Sequence, residues 1–311
     1  MLSAARTLPL RASSLTAPSV RITRCTRLSR SFASTAHRFD MKIHPVPVRD
    51  DNYAYILQSS TTGHALFVDP FDVPTVRKAA ESLGIKDDQV VGLLTTHHHA
   101  DHSGGNETFA SQFPGRPVYG GSSKIPALTK QVKDGDQLND ALEGVNITCV
   151  STPCHTQDHI CYLVEDTESP SKGVFTGDTL FISGCGRFFE GTAEEMLTAL
   201  TKLSKLPEET IVYCGHEYTA SNVAFSAAIL PSDEKPISQL VDDLKHKRNN
   251  GRTTGVYSIA QEKSHNPFMR CNDPIVKDKA QQLFGQNLDS PTDVMHALRE
   301  LKNAGKVKAN I

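Results

Sequence analysis

The sequence predicts an α/β domain followed by an all-α segment, and three features of the 311 residues point there. Apolar runs of strand length recur between Tyr53 and Cys214, divided by turn residues and by stretches with helical spacing. Beyond Tyr218 no convincing strand appears, only amphipathic helical stretches. The His- and Asp-bearing motifs each follow an apolar run, which is where layered α/β folds gather the loops that form a site.

Taken in order, Tyr53–Leu57 and Ala65–Val68 read as strands separated by the turn-forming Thr61-Thr62-Gly63. Val73, Val76, Ala80 and Leu83 carry helical spacing, and Gly84 closes that helix. Val90–Leu94 reads as a buried strand. Further strands are expected at Pro117–Tyr119, Val145–Val150, Ile160–Val164, Gly173–Thr176 and Ile211–Cys214. Between the last two, Thr192-Ala-Glu-Glu195 is a capping box opening a helix to about Leu203, since Glu195 can return to the cap amide. In the C-terminal part Ile237–Lys247 is amphipathic and Asn249–Gly255 is a loop. Asp273-Pro274 caps a helix that Gly285 ends, and Val294, Leu298 and Leu301 mark one face of a last helix.

Composition excludes several classes. No window reaches the roughly 18 uncharged apolar residues of a membrane span, so no membrane insertion is expected. Residues 1–39 hold seven Arg, no Lys and no acid, so the body is more acidic than the whole-chain charge of −2. An acidic body lacks the basic footprint of a nucleic-acid binder. The same 39 residues are rich in Ser and Thr and describe a presequence directing the chain to the mitochondrial matrix. Met41 opens the folded part, and a second start there would give a cytosolic form. The seven Cys are odd in number and include no CxxC pair, which fits reduced thiols acting as small core residues.

The chemistry resides in Thr96-His97-His98-His99-Ala100-Asp101-His102, with His155, Asp178 and His216 at later strand ends. His97 and His99 alternate and can point to one side, while Asp101 and His102 reach a second position. Imidazole and carboxylate suit zinc, iron or manganese. Burying so many ionisable groups without a cation would be costly in desolvation and repulsion.

THHHADHSGGN at 96–106 resembles the signature of the metallo-β-lactamase superfamily. TPCHTQDHICYLV at 152–164, FTGDTLFISGCGRFFEGT at 175–192, VYCGHEYT at 212–219 and NPFMR at 266–270 are similar to glyoxalase II, or hydroxyacylglutathione hydrolase. The resemblance covers essentially all of 41–311. It implies an αββα metallo-β-lactamase sandwich over 41–216 and a helical substrate-binding domain over 217–311. It implies two divalent metal ions, zinc with iron or manganese as alternatives. His97, His99 and His155 would hold the first and Asp101, His102 and His216 the second, with Asp178 bridging both beside a hydroxide nucleophile. His98 and His159 match non-ligand positions. Ser183 and Cys185 read as turn residues under the site, not nucleophiles.

The implied substrate is a glutathione thioester, S-D-lactoylglutathione above all, taken by a monomer. The resemblance places Arg187, Phe189, Tyr218 and Arg270 at glutathione-contacting positions. Arg187 stands where relatives often have Lys, and Phe189 where many have Tyr, so one hydroxyl hydrogen bond is lost there. An iron-dependent glutathione-persulfide dioxygenase of the same superfamily is the nearest alternative. The complete second ligand set and the C-terminal segment carrying NPFMR weigh against it. A non-catalytic metal protein is the other alternative, though structural zinc sites are normally closed and Cys-rich.

Overall fold

The computed structural model describes residues 40–246 and 251–311. The expected presequence and residues 247–250, where the amphipathic helix was expected to end and the following loop to begin, lie outside the described residues.

Six strands form the first sheet in the order β1-β2-β3-β4-β5-β6: Lys42–Val48, Asn52–Gln58, Ala65–Val68, Val90–Leu94, Val118–Gly120 and Lys130–Gln131. The second sheet has the order β12-β9-β8-β7, from Val145–Ser151 (β7), Ile160–Asp166 (β8), Lys172–Gly177 (β9) and Ile211–Cys214 (β12). A two-stranded hairpin, Leu180–Phe181 (β10) with Gly184–Cys185 (β11), follows β9. Strand β12 lies parallel to β9, so the loops after both leave at the same end.

Alternation along the strands builds the layers. Tyr53, Tyr55 and Leu57 of β2 turn one way and pack with Ile147, Tyr162 and Phe175 of the second sheet. Ala54 and Ile56 turn the other way, toward Val73, Val76 and Ala80 of α1 (Val73–Ser82) and Phe109 of α3 (Asn106–Gln112). Between them lies the short α2 (Ala100–Ser103). On the far face of the second sheet, Val174, Val212 and Cys214 meet Met196, Leu200 and Leu203 of α4 (Ala193–Leu203). The result is an αββα sandwich, as expected. Thr192 caps α4 with Glu195 returning to its amide, the expected capping box.

The C-terminal part is helical among the described residues: α5 (Thr219–Ile229), α6 (Lys235–Lys245), α7 (Ile259–His265), α8 (Pro274–Phe284) and α9 (Pro291–Asn303). Asp273 caps α8 through the Ile275 amide, and Gly285 ends it in the left-handed conformation at φ 77°. No helix among the described residues is long and apolar enough to cross a membrane.

Candidate metal centre

The site forms where loops leave one end of both sheets. Asp69, just after β3, accepts from the Thr96 amide at 2.8 Å and the Thr96 hydroxyl at 2.6 Å. This pins the turn after β4 that carries the histidine motif. Asp69 also faces His102 Nδ1 at 3.0 Å, leaving Nε2 to point inward. His216, just after β12, is held alike by Asp51, whose Oδ1 lies 2.8 Å from Nδ1. His155 sets its Nδ1 3.0 Å from the Arg187 carbonyl, and His97 its Nδ1 3.0 Å from the Thr96 hydroxyl. Partners behind a ring fix which nitrogen faces the site.

The inward atoms converge. His97, His99 and His155 form one group of potential ligand atoms within 4.8 Å, and Asp101, His102 and His216 form another. Asp178 stands between them: Oδ1 is 3.3 Å from His102 Nε2, and Oδ2 is 3.4 Å from both His155 Nε2 and His216 Nε2. Ring nitrogens face each other at 3.0 Å (His99 with His155) and 3.2 Å (His102 with His216). Two lone pairs at such distances repel unless something positive lies between them. The buried His97 Nε2 and Asp178 Oδ1 have no hydrogen-bond partner. The donor set therefore fits divalent cations, and this chain binds them.

The electrostatics agree. Burial drives His97 well below the ordinary imidazole range. Burial also works against charge on His216, yet Asp101 and Asp178 together raise it to about 10. Asp178 is wholly buried, which alone would raise its pKa, but His102 and His216 hold it well below the carboxylate range. The cluster attracts positive charge.

His98 turns away, its Nδ1 2.8 Å from Asp158. The rings of His159 and His97 stack at 5.0 Å between centroids, but His159 Nε2 accepts from the Asp178 amide at 3.1 Å and Nδ1 faces Thr152 at 2.9 Å. It positions Asp178 and belongs to neither group. Cys154 and Cys185 are buried, with thiols raised by burial to about 12 and about 11, which removes them as nucleophiles.

A cavity of about 490 Å³ opens beside His155 and Asp178. Arg187, Phe189 and Tyr218 line it. The Phe189 ring lies 5.1 Å from that of His155, and Tyr218 stacks on His216 at 4.7 Å. Arg270 does not line this cavity. Its guanidinium is held by Glu234 at 2.6 Å and Asp273 at 2.6 Å, and also donates to the Ser264 carbonyl. With both carboxylates satisfied in place, it serves as a brace between helices.

Two further cations line the cavity, Arg299 and Lys302 of α9, which sequence reasoning missed. Arg299 is only 5% exposed and donates to the Cys185 carbonyl and Asn303. Their signal was present: with Met295 they fall at i, i+4 and i+7, so two cations share a face with an apolar residue. Asp51 and Asp69, the partners behind two inward imidazoles, were also missed because single acids at strand ends have no distinctive spacing.

The fold and the metal-binding cluster define a metal-dependent hydrolase of the metallo-β-lactamase superfamily, whose family model matches residues 48–216. A model for the hydroxyacylglutathione hydrolase C-terminus matches residues 217–305. The chain is 42% identical over 265 residues to a cytoplasmic hydroxyacylglutathione hydrolase of Arabidopsis thaliana, covering 85% of this chain and 98% of that protein. It is 43% identical over 269 residues to a probable hydroxyacylglutathione hydrolase of Schizosaccharomyces pombe, covering 85% and 99%. It belongs to the hydroxyacylglutathione hydrolase, or glyoxalase II, family. Among solved structures, a Staphylococcus aureus metallo-β-lactamase shares the fold at TM-score 0.55 and 18% identity, covering 84% of this chain and 71% of that one.

Proposed function

We propose that this enzyme hydrolyses S-(2-hydroxyacyl)glutathione thioesters, chiefly S-D-lactoylglutathione to D-lactate and glutathione. The observation that carries this reading is the placement of two His/Asp clusters around Asp178 at the mouth of a cavity lined by Arg187, Arg299 and Lys302.

His97, His99 and His155 would hold one cation and Asp101, His102 and His216 the other, with Asp178 serving both. Zinc is the proposed metal, with iron and manganese as alternatives. When bound, the cations supply Lewis acidity toward a carbonyl oxygen and a water acidic enough to ionise near neutrality. The protein contributes alignment. Asp51 and Asp69 keep Nε2 of His216 and His102 turned inward, and His159 fixes the backbone of Asp178. Arg187, Arg299 and Lys302 would hold the glutathione carboxylates, and Phe189 and Tyr218 would flank the thioester. The leaving thiol, of pKa about 8.5, departs as thiolate without a strong side-chain acid.

The domain division proposed is 41–216 for catalysis and 217–311 for substrate binding, in a monomer. Residues 1–39 are proposed as a mitochondrial matrix address, with a cytosolic form starting at Met41.

The deciding assay is hydrolysis of S-D-lactoylglutathione by enzyme isolated without added metal, before and after chelation, with metal analysis alongside. Turnover that chelation abolishes and metal restores is expected. No turnover of this thioester by protein carrying two metals would sink the reading.

A further inference from the structure

The turn of the β10–β11 hairpin is bonded by side chains of the helical part at each carbonyl from Ile182 to Cys185 and at the Ser183 amide. The Ile182 carbonyl accepts from Asn222 at 3.1 Å and the Ser183 carbonyl from the Ser226 hydroxyl at 3.0 Å. The Gly184 carbonyl accepts from Asn266 at 3.1 Å and the Cys185 carbonyl from Arg299 at 2.9 Å. The one amide in this set, that of Ser183, donates to Glu262 Oε2 at 2.9 Å. These side chains come from α5, α7, α9 and the residue just after α7, so the helical part moulds the hairpin from several directions.

The hairpin needs such moulding. Ser183 sits in the left-handed region at φ 57°, which a non-glycine residue adopts only under constraint. Immediately beyond it come Cys185, Gly186 and Arg187, which wall the cavity, and the Arg187 carbonyl fixes the His155 ring. Gly186 approaches so closely that a Cβ there would lie 1.8 Å from the Asp178 carbonyl oxygen. A turn that relaxes would shift this wall.

Glu262 is the least replaceable member of the clamp. It is fully buried, and its Oε2 takes both the Ser183 amide and the Asn266 side-chain amide, the latter at 2.9 Å. Oε1 has no hydrogen-bond partner and lies 3.8 Å from His265 Nε2. A buried carboxyl group set there with one oxygen unpartnered is an expensive way to hold a turn unless the turn matters. Burial raises Glu262 to about 8, so a neutral acid occupies the site at pH 7.

We propose that Glu262 is a positioning residue for the thioester hydrolysis, locking the Ser183 turn so that Gly186 and Arg187 present the substrate-binding wall. The inference rests on the proposed substrate class, and the test separates the two. Wild-type turnover of S-D-lactoylglutathione judges the substrate class; the variants judge Glu262. Glu262→Ala removes the acceptor of the Ser183 amide and should raise KM about tenfold, with kcat little changed and both metals retained. Glu262→Gln keeps an amide oxygen for both N–H donors and should restore wild-type KM. A merely structural glutamate would cost stability in Glu262→Ala and leave KM of the folded enzyme where it was. That result overturns the proposal, as does a Glu262→Gln enzyme as impaired as the alanine variant. Should Glu262→Ala fail to fold, Glu262→Asp, whose shorter side chain draws the acceptor away from the Ser183 amide, decides: a raised KM with both metals retained supports the clamp, and a wild-type KM in the folded variant overturns it.

Discussion

At the scale of single residues, the site illustrates how burial and neighbours set charge. Lys302 lines the cavity, donates to the Ser221 carbonyl at 3.3 Å, and is lowered to about 8, first by burial and then by Arg299. Below that pH it carries a charge that can meet a substrate carboxylate; above it the charge is lost. The expected outcome is that kcat/KM, which reports the free enzyme, falls as pH rises through about 8. Lys302→Arg keeps its charge throughout and should flatten this limb. Identical profiles in the two enzymes would remove Lys302 from substrate binding. The sign for stability runs the other way. Between pH 8 and the ordinary lysine value the unfolded chain binds a proton that the folded chain does not, so the penalty this residue places on folding fades as pH rises through that window. The metal cluster was legible in the sequence because its donors follow apolar strands at short, fixed offsets. The pairing of Arg270 was not legible, because its partner Glu234 lies far off in the chain and no local pattern reveals that an arginine is already paired.

Among elements, the strands with clean alternation were readable and the irregular ones were not. β2, β3 and β4 alternate or run apolar between turn signals, and they formed where expected within a residue or so. β1 escaped notice because Pro45 and Pro47 break the pattern; it survives as an edge strand, where a missing N–H costs least. The two-residue strands β10 and β11 are too short for any period to show, and they exist because the helical part holds them. Tyr218 precedes α5 at its N-cap without a side-chain cap bond, so this helix lacked a start signal. By contrast Asp273 announced α8. Its carboxylate caps the helix through Oδ1 and grips Arg270 through Oδ2. Arg270 thus ties the start of α8 to Glu234 at the start of α6. Arg270→Ala should lower stability by about 1–2 kcal/mol, as expected for a partly buried bidentate pair, and leave KM nearly unchanged. Denaturant midpoints and steady-state kinetics would check this; a raised KM at wild-type stability would return Arg270 to the substrate site.

For the molecule as a whole, the arrangement of donors makes the metal centre a junction between layers. His97, His99, Asp101 and His102 follow β4 of the first sheet, whereas His155, Asp178 and His216 follow β7, β9 and β12 of the second. Asp178 lies within 3.4 Å of imidazoles from both. Cations held there would cross-link the two sheets at one end, beyond the apolar interface that joins them along their length. A ligand that binds only the folded state adds about 2.7 kcal/mol when present at a hundredfold excess over its Kd. Stripping the metals should therefore lower Tm by several degrees while leaving the circular dichroism of the fold intact, because the apolar layers remain. Asp178→Ala, which removes the one side chain proposed to serve both clusters, should lose metal and bring the untreated enzyme close to the Tm of stripped wild type. Chelator should then have almost no further effect on the variant. An Asp178→Ala enzyme that keeps two metals and a chelator-sensitive Tm would show that the sheets are bridged without Asp178, and the proposed shared role would fall.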